Sequence, residues 1–214
     1  EISAASAAGF IRSTTPRPSD VGRAQGAATL GESGYERREF DAYFTEPWVT
    51  EQLLRHCNIR SPVWEPAAGR GDMVEVLAAS GRSVIASDVA DHGHGVASDV
   101  DFLATTPTWI DRVGSIVTNP PYAHADGFIR HALDLMRPQN GRVAMLVRLE
   151  FLSAASRRWM RNEAPMAVVL QLTRRPRWDW WLPERASSAG PRHNYSWIVW
   201  DYRFSGETMF RAAP

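Results

Sequence analysis

Val63-Trp64-Glu65-Pro66-Ala67-Ala68-Gly69-Arg70-Gly71-Asp72 is the stretch that decides the fold. Pro62-Val63-Trp64 reads as a short buried strand. It ends in an acid, Glu65, turns through small residues, and enters a helix predicted over Asp72–Ala79 and stopped by Gly81. Gly69 and Gly71 permit a tight turn and close approach of a ligand to the backbone. The next strand, Ser83–Ser87, runs into Asp88. Carboxylates closing two neighbouring parallel strands lie at the edge where open α/β sheets bind ligands, and one of them can accept from the ribose hydroxyls of a nucleoside. A dinucleotide fingerprint would need glycine at 74, where Val74 stands, and Glu65 would then face a pyrophosphate. A purely structural turn in another α/β protein stays open at this point.

The pattern continues outward. Apolar spacing predicts helices over Trp48–Cys57, Ala125–Met136 and Phe151–Arg161. Strands are predicted over Gly114–Thr118, Arg142–Arg148, Met166–Leu172 and Tyr195–Phe204, with a weak strand or turn at Val100–Leu103 and a brief helix at Pro107–Arg112. Strands alternating with helices imply a doubly wound, seven-stranded, mostly parallel sheet. The last two strands are joined only by the polar loop Trp178–His193, so the last strand is expected antiparallel. In that strand Trp197 and Val199 point one way and Ile198 and Trp200 the other, and all read as core. Residues 1–34, rich in Ala, Ser, Thr, Gly and Pro, read as a flexible arm before a domain over 35–214.

Composition narrows the function. No apolar run is long enough for a membrane span, and the start lacks a secretory pattern. The single cysteine, Cys57, cannot form an internal disulfide. It reads as a small core residue in a cytoplasmic protein. All 24 basic residues are arginine, which excludes Schiff-base and Walker-lysine chemistry. The zero net charge hides an asymmetry. Residues 1–136 hold 18 carboxylates against 11 arginines, whereas residues 137–193 hold 11 arginines against 4 carboxylates. A basic segment on an otherwise acidic chain fits a polyanion partner, or a solvated arginine-rich surface.

The second decisive element is Asn119-Pro120-Pro121-Tyr122, directly after an apolar strand. The prolines fix φ and remove two backbone donors, leaving the carbonyls of Asn119 and Pro120 and the Asn119 amide oxygen as acceptors. Such acceptors can hold an amino group and aim its lone pair at an electrophile, which is catalysis by positioning. Tyr122 offers a face for a planar base; a strand-ending Pro-Pro turn with a core tyrosine is the alternative at this point.

These residues resemble the class I amino-methyltransferases, in particular small phage-type N6-adenine DNA methyltransferases. The resemblance covers about Phe40 to Phe204. It implies S-adenosyl-L-methionine as cofactor. The cofactor would be held by Glu65, Pro66, Ala67, Gly69 and Gly71 of the first motif and by Asp88, with Asp101 and Phe102 at its adenine. Tyr43, Phe44 and Thr45 would lie against its methionine end. It makes Asn119, Pro120, Pro121 and Tyr122 the catalytic group. The family's frequent aromatic in the glycine turn is Ala67 here, and 214 residues leave no room for a separate recognition domain. Relatives acting on RNA adenines or a protein glutamine share the motif, and a catalytically silent nucleic-acid-binding module is a third alternative.

Arginines interleaved with aromatics point to nucleic acid, DNA before RNA: Arg148, Arg157, Arg174, Arg175, Arg177 and Trp178 are the candidates. The alternative for Trp178, Trp180 and Trp181 is packing inside the protein. His92-Gly93-His94 reads as a loop beside the pocket, with no metal expected.

Overall fold

Apolar residues on both faces of the long strands set the architecture. The structure, a computed structural model, describes residues 10–12 (as backbone), 44–181 and 191–214. Most of the predicted arm therefore lies outside the described residues. Phe10–Arg12 (β1) pairs antiparallel with Thr105–Pro107 (β4).

The main chain path is α1 (Pro47–His56), β2 (Val63–Glu65), α2 (Asp72–Ala79), β3 (Val84–Ala86), β4, β5 (Ser115–Thr118), α3 (Ala125–Met136), β6 (Arg142–Arg148), α4 (Trp159–Asn162), β7 (Met166–Leu172), β8 (Tyr195–Asp201) and β9 (Met209–Ala213). Seven strands form one sheet in the order β3-β2-β5-β6-β8-β7-β9. All run parallel except β8, which is antiparallel to both β6 and β7.

The mostly parallel doubly wound sheet agrees with the sequence pattern, with one correction. The antiparallel strand is not the last. After Asp201 the chain turns through Ser205-Gly206 and returns as β9, parallel to β7 at the sheet edge. An edge strand exposed at four of its five residues, Phe210 among them, carries too little buried apolar pattern to stand out. Val100–Leu103 supplies no strand to this sheet; Phe102–Ala104 is a 3-10 turn.

Alternation along the strands divides the core into two layers. Val63, Val117, Ala144, Leu146, Leu170, Trp197 and Val199 pack with Val49 and Leu53 of α1 and Met73 and Leu77 of α2. Trp64, Ile116, Val143, Met145, Val169, Ile198 and Trp200 pack with Phe128, Ile129, Leu133 and Met136 of α3 and with Met160 of α4. The buried indoles of β8 keep polar partners on opposite faces: Trp197 Nε1 donates to Val49 O (2.9 Å), and Trp200 Nε1 to Met160 O (2.9 Å). Cys57 is buried in the first layer, and burial pushes its thiol above the ordinary value. The helix expected over Phe151–Arg161 is broken into 3-10 turns, with only Trp159–Asn162 α-helical, because Ala154 is extended. Among the described residues no helix is long and apolar enough to cross a membrane.

Candidate functional site

The carboxyl ends of β2, β3 and β5 converge on a cavity of about 510 Å³. Its floor is the first sequence motif. Glu65 closes β2, is almost fully buried, and accepts from the Ala67 N–H at 3.1 Å. Burial pushes the Glu65 carboxyl up to about 8 and the Asp88 charge adds to the shift, against the pull of the Thr118 hydroxyl and the Ala67 N–H. Gly69 has φ +54, and a Cβ there would sit 3.1 Å from the Phe44 ring, so the turn requires glycine on both counts. Its N–H donates to Asp88 Oδ2 (2.8 Å), while Asp88 Oδ1 accepts from the Ala90 N–H (3.0 Å). The second acid is thus locked to the first turn, its orientation fixed by two backbone donors.

Pro66, Ala67 and Gly69 line the cavity, as do Asp101 and Phe102 across from them. Asp101 caps its own 3-10 turn by accepting from the Leu103 N–H (3.0 Å). Phe102 is packed against Trp64, Phe128 and His131. Phe44 and Thr45 form the opposite rim. Gly71 does not line the cavity; with φ +91 it begins α2. Tyr43 lies outside the described residues. The His92-Gly93-His94 loop, read from the sequence as lying beside the pocket, supplies His92 to the wall; Leu103 and His124 are wall residues that the sequence did not single out. His92 Nε2 lies 3.6 Å from Asp88 Oδ1, and its ring meets Phe44 edge-on.

The Asn-Pro-Pro-Tyr segment leaves β5 into the same cavity. Asn119 and Pro121 line it, and Pro120 is buried behind them. Asn119 Nδ2 donates to Thr45 Oγ1 (3.1 Å), tying the two motifs together. Tyr122 does not line the cavity. It packs near Tyr195 and Trp178, with ring centroids at 6.0 and 6.4 Å, and the Arg148 guanidinium lies 5.3 Å from its ring centre.

The basic segment splits in two. Arg174 is 3.5 Å from Glu46 Oε1 and lies over the Trp48 ring. The Arg177 N–H donates to Glu46 Oε2 (2.7 Å) and Trp180 Nε1 to Phe44 O (3.1 Å). These contacts fasten the segment to the cavity rim, where Trp181 and Phe44 flank the Arg70 guanidinium. Trp178 is a correction. It is buried and meets Tyr195 at 4.9 Å, so it is a core residue rather than a platform for a base. An indole directly after a run of arginines fits either role, and here the aromatic neighbours take it inward. Arg157 stacks on Phe151 and donates to its carbonyl. Arg175 reaches Asn194 Oδ1 (2.9 Å). Arg148 stays beside Tyr122, and its Nε is buried with no hydrogen-bond partner. Burial lowers the pKa of His193, and the charges of Arg148, Arg192 and Arg175 add to the fall against Glu150, which marks a local positive field.

The decisive comparison is structural. The fold is that of the class I methyltransferases. A protein from Listeria monocytogenes assigned to the class I S-adenosylmethionine-dependent methyltransferases aligns over 78% of this chain and 62% of its own, at 14% identity and TM-score 0.50. An Agrobacterium tumefaciens protein assigned as an O-methyltransferase covers 78% and 85%, at 13% identity and TM-score 0.51. The methyltransferase subunit of a type I restriction-modification system from Streptococcus thermophilus covers 76% and 45%, at 11% identity and TM-score 0.54. The chain thus spans less than two thirds of the first and under half of the third. At such identities the likeness establishes the class I fold and leaves the reaction to the site. No protein-family model and no curated protein matches the sequence.

Proposed function

We propose that this chain transfers the methyl group of S-adenosyl-L-methionine to an exocyclic amino nitrogen, N6 of adenine in DNA. The observation that carries the reading is the opening of Asn119 and Pro121 into the same cavity as Glu65, Gly69 and Asp88. The residues fit the cofactor. A cavity of about 510 Å³ suits a nucleoside joined to an amino acid. Its acids suit hydroxyls and cationic groups and would repel a polyphosphate. Asp88, oriented by Gly69 and Ala90, would hold the ribose. Asp101 and Phe102 would border the adenine. Glu65, Phe44 and Thr45 would face the methionine end.

Bound there, S-adenosylmethionine would supply an electrophilic methyl group on a sulfonium, with a neutral thioether as the leaving group. The chain's own groups do the rest. The Asn119 amide oxygen and the Pro120 carbonyl accept from the target amino group and direct its lone pair toward the methyl. Thr45, bonded to Asn119 Nδ2, steadies the amide. The methylated nitrogen then releases its extra proton to solvent. Tyr122, with Arg148 against its ring, would form the substrate wall. Arg148, Arg175 and the neighbouring Arg192 would attract the phosphates. That positive field beside the acceptor motif favours nucleic acid over a protein glutamine. The Streptococcus subunit belongs to a DNA restriction-modification system, which favours DNA over RNA.

Labelled methyl transfer to plasmid DNA, total RNA and ribosomal extract tests this, with digestion of the products to nucleosides. The expected result is N6-methyldeoxyadenosine from DNA. Labelled RNA or protein with unlabelled DNA would reassign the substrate. Calorimetry showing no cofactor binding would make the chain a silent binding module.

A further inference from the structure

The amino edge of the sheet, opposite the cleft, carries a second cavity of about 500 Å³. It is built from the turns that lead into β2, β5 and β6 and from the turn that leaves the antiparallel β8. Arg60, Arg112 and Arg203 line it, one from each of three different turns. Arg60 and Arg142 share one partner, Asp201, so this triad keeps a positive excess. Burial works against the Asp201 charge, but the Arg142 hydrogen bond, the Arg203 N–H and the charges of Arg142 and Arg60 hold its carboxyl below the ordinary value. Its negative charge is therefore already committed within the fold.

Among the described residues Arg112 and Arg203 have no ion-pair partner, and Arg60 Nε is buried without a hydrogen-bond partner. Asp111 is the one carboxylate in the lining, and it is exposed. The floor is closely packed at Gly114, where a Cβ would lie 2.8 Å from Ser61 O. Two arginines without an ion-pair partner, held on separate turns over a closely packed floor, form a concave basic site that the methyl-transfer reading does not use.

We propose that this amino-edge cavity binds a phosphate-bearing anion. Guanidinium forks pair with phosphate oxygens in planar, charge-assisted contacts. The cavity volume is of the size that takes a small organic phosphate. Arg112 and Arg203 supply the grip, and Arg60, braced by Asp201, supplies the base of the site. The phosphate is either that of a free nucleotide or pyrophosphate, or a phosphodiester of a bound strand.

The test is NMR titration of the full chain at low salt, read at the Gly114 and Gly141 amides, with inorganic pyrophosphate in one arm and a short oligodeoxynucleotide in the other. The expected result is saturable shifts with pyrophosphate, weakened at least tenfold in the Arg112→Gln/Arg203→Gln variant. Both side chains are exposed, so the variant should keep the thermal stability and methyl-transfer rate of the parent. Shifts only with the oligonucleotide, lost in the same variant, would assign the site to a strand. No shift with either probe, or shifts unchanged in the variant, would overturn the proposal. Because the readout does not depend on methyl transfer, failure here leaves the proposed activity untouched, and the reverse also holds.

Discussion

The two halves of the sheet are built differently. On one side β2 and β3 are three residues long and β5 four; on the other β6, β8 and β7 are seven each. The long strands bury Trp197, Trp200, Met145, Leu146 and Val169 and satisfy their indoles internally. The short strands stop early, and their carboxyl ends open into loops carrying Glu65, Asp88 and Asn119. Stability is concentrated where strands run long and apolar on both faces. Chemistry is concentrated where they end and buried polar groups must be held by backbone donors. The halves meet at β5 and β6, where Asn119 and Arg148 leave adjacent strands at the same edge.

If that division holds, a large core truncation in the long half should cost stability and spare the site. Trp200→Ala should destabilise the protein by about 3–5 kcal/mol in chemical denaturation, while cofactor affinity of the folded fraction stays near that of the parent. A comparable loss of affinity would break the separation. Asn119→Ala should do the reverse. Transfer should fall by roughly two orders of magnitude or more, about 3 kcal/mol, as the loss of a transition-state hydrogen bond does. Stability and cofactor binding should change little; an unchanged single-turnover rate would remove Asn119 from the mechanism.

Glu65 sharpens the comparison through pH. Its folded pKa, about 8, lies above the ordinary 4.5. Between these values the folded state keeps a proton that the unfolded state has released, so stability falls as pH rises and levels off above 8. Glu65→Gln should therefore raise the stability of the ligand-free protein near pH 8, by on the order of a few kcal/mol. In the parent, a cationic ligand beside the carboxylate favours its ionised form. Cofactor affinity should then climb with pH up to about 8, by at most about tenfold per unit. A flat profile by calorimetry would place the cation away from Glu65. The smallest effect is expected for Arg148→Gln. The Michaelis constant for DNA should rise several-fold, with a shallower salt dependence and unchanged cofactor affinity. An effect on cofactor affinity alone would move Arg148 out of the substrate wall.

Much of this arrangement was legible in the sequence because local signals agreed with the tertiary result. Asp72–Ala79 and Ala125–Met136 have helical apolar spacing, and β6 and β7 are apolar runs between turn residues; all four have the predicted bounds. Glu65 and Asp88 could be placed on one edge because parallel strands end together. Other features depended on distant contacts. β9 exists through pairing with β7, four of its five residues being exposed. Trp178 turns inward because Tyr195 is there to receive it, 17 residues later in the chain. Arg174 and Arg177 read as phosphate ligands in sequence, but the Arg174 guanidinium pairs with Glu46, on the far side of the sequence, and that of Arg177 with Asp179. Charge spacing records that an arginine is exposed or paired, and only the fold says with what.

The most direct test of the central claim is a crystal structure with S-adenosylhomocysteine. The nucleoside should lie between Gly69 and Phe102, with its ribose on Asp88 and its sulfur turned toward Asn119 and Pro120. A ligand bound outside this cavity, or one whose sulfur faces away from Asn119, would contradict it.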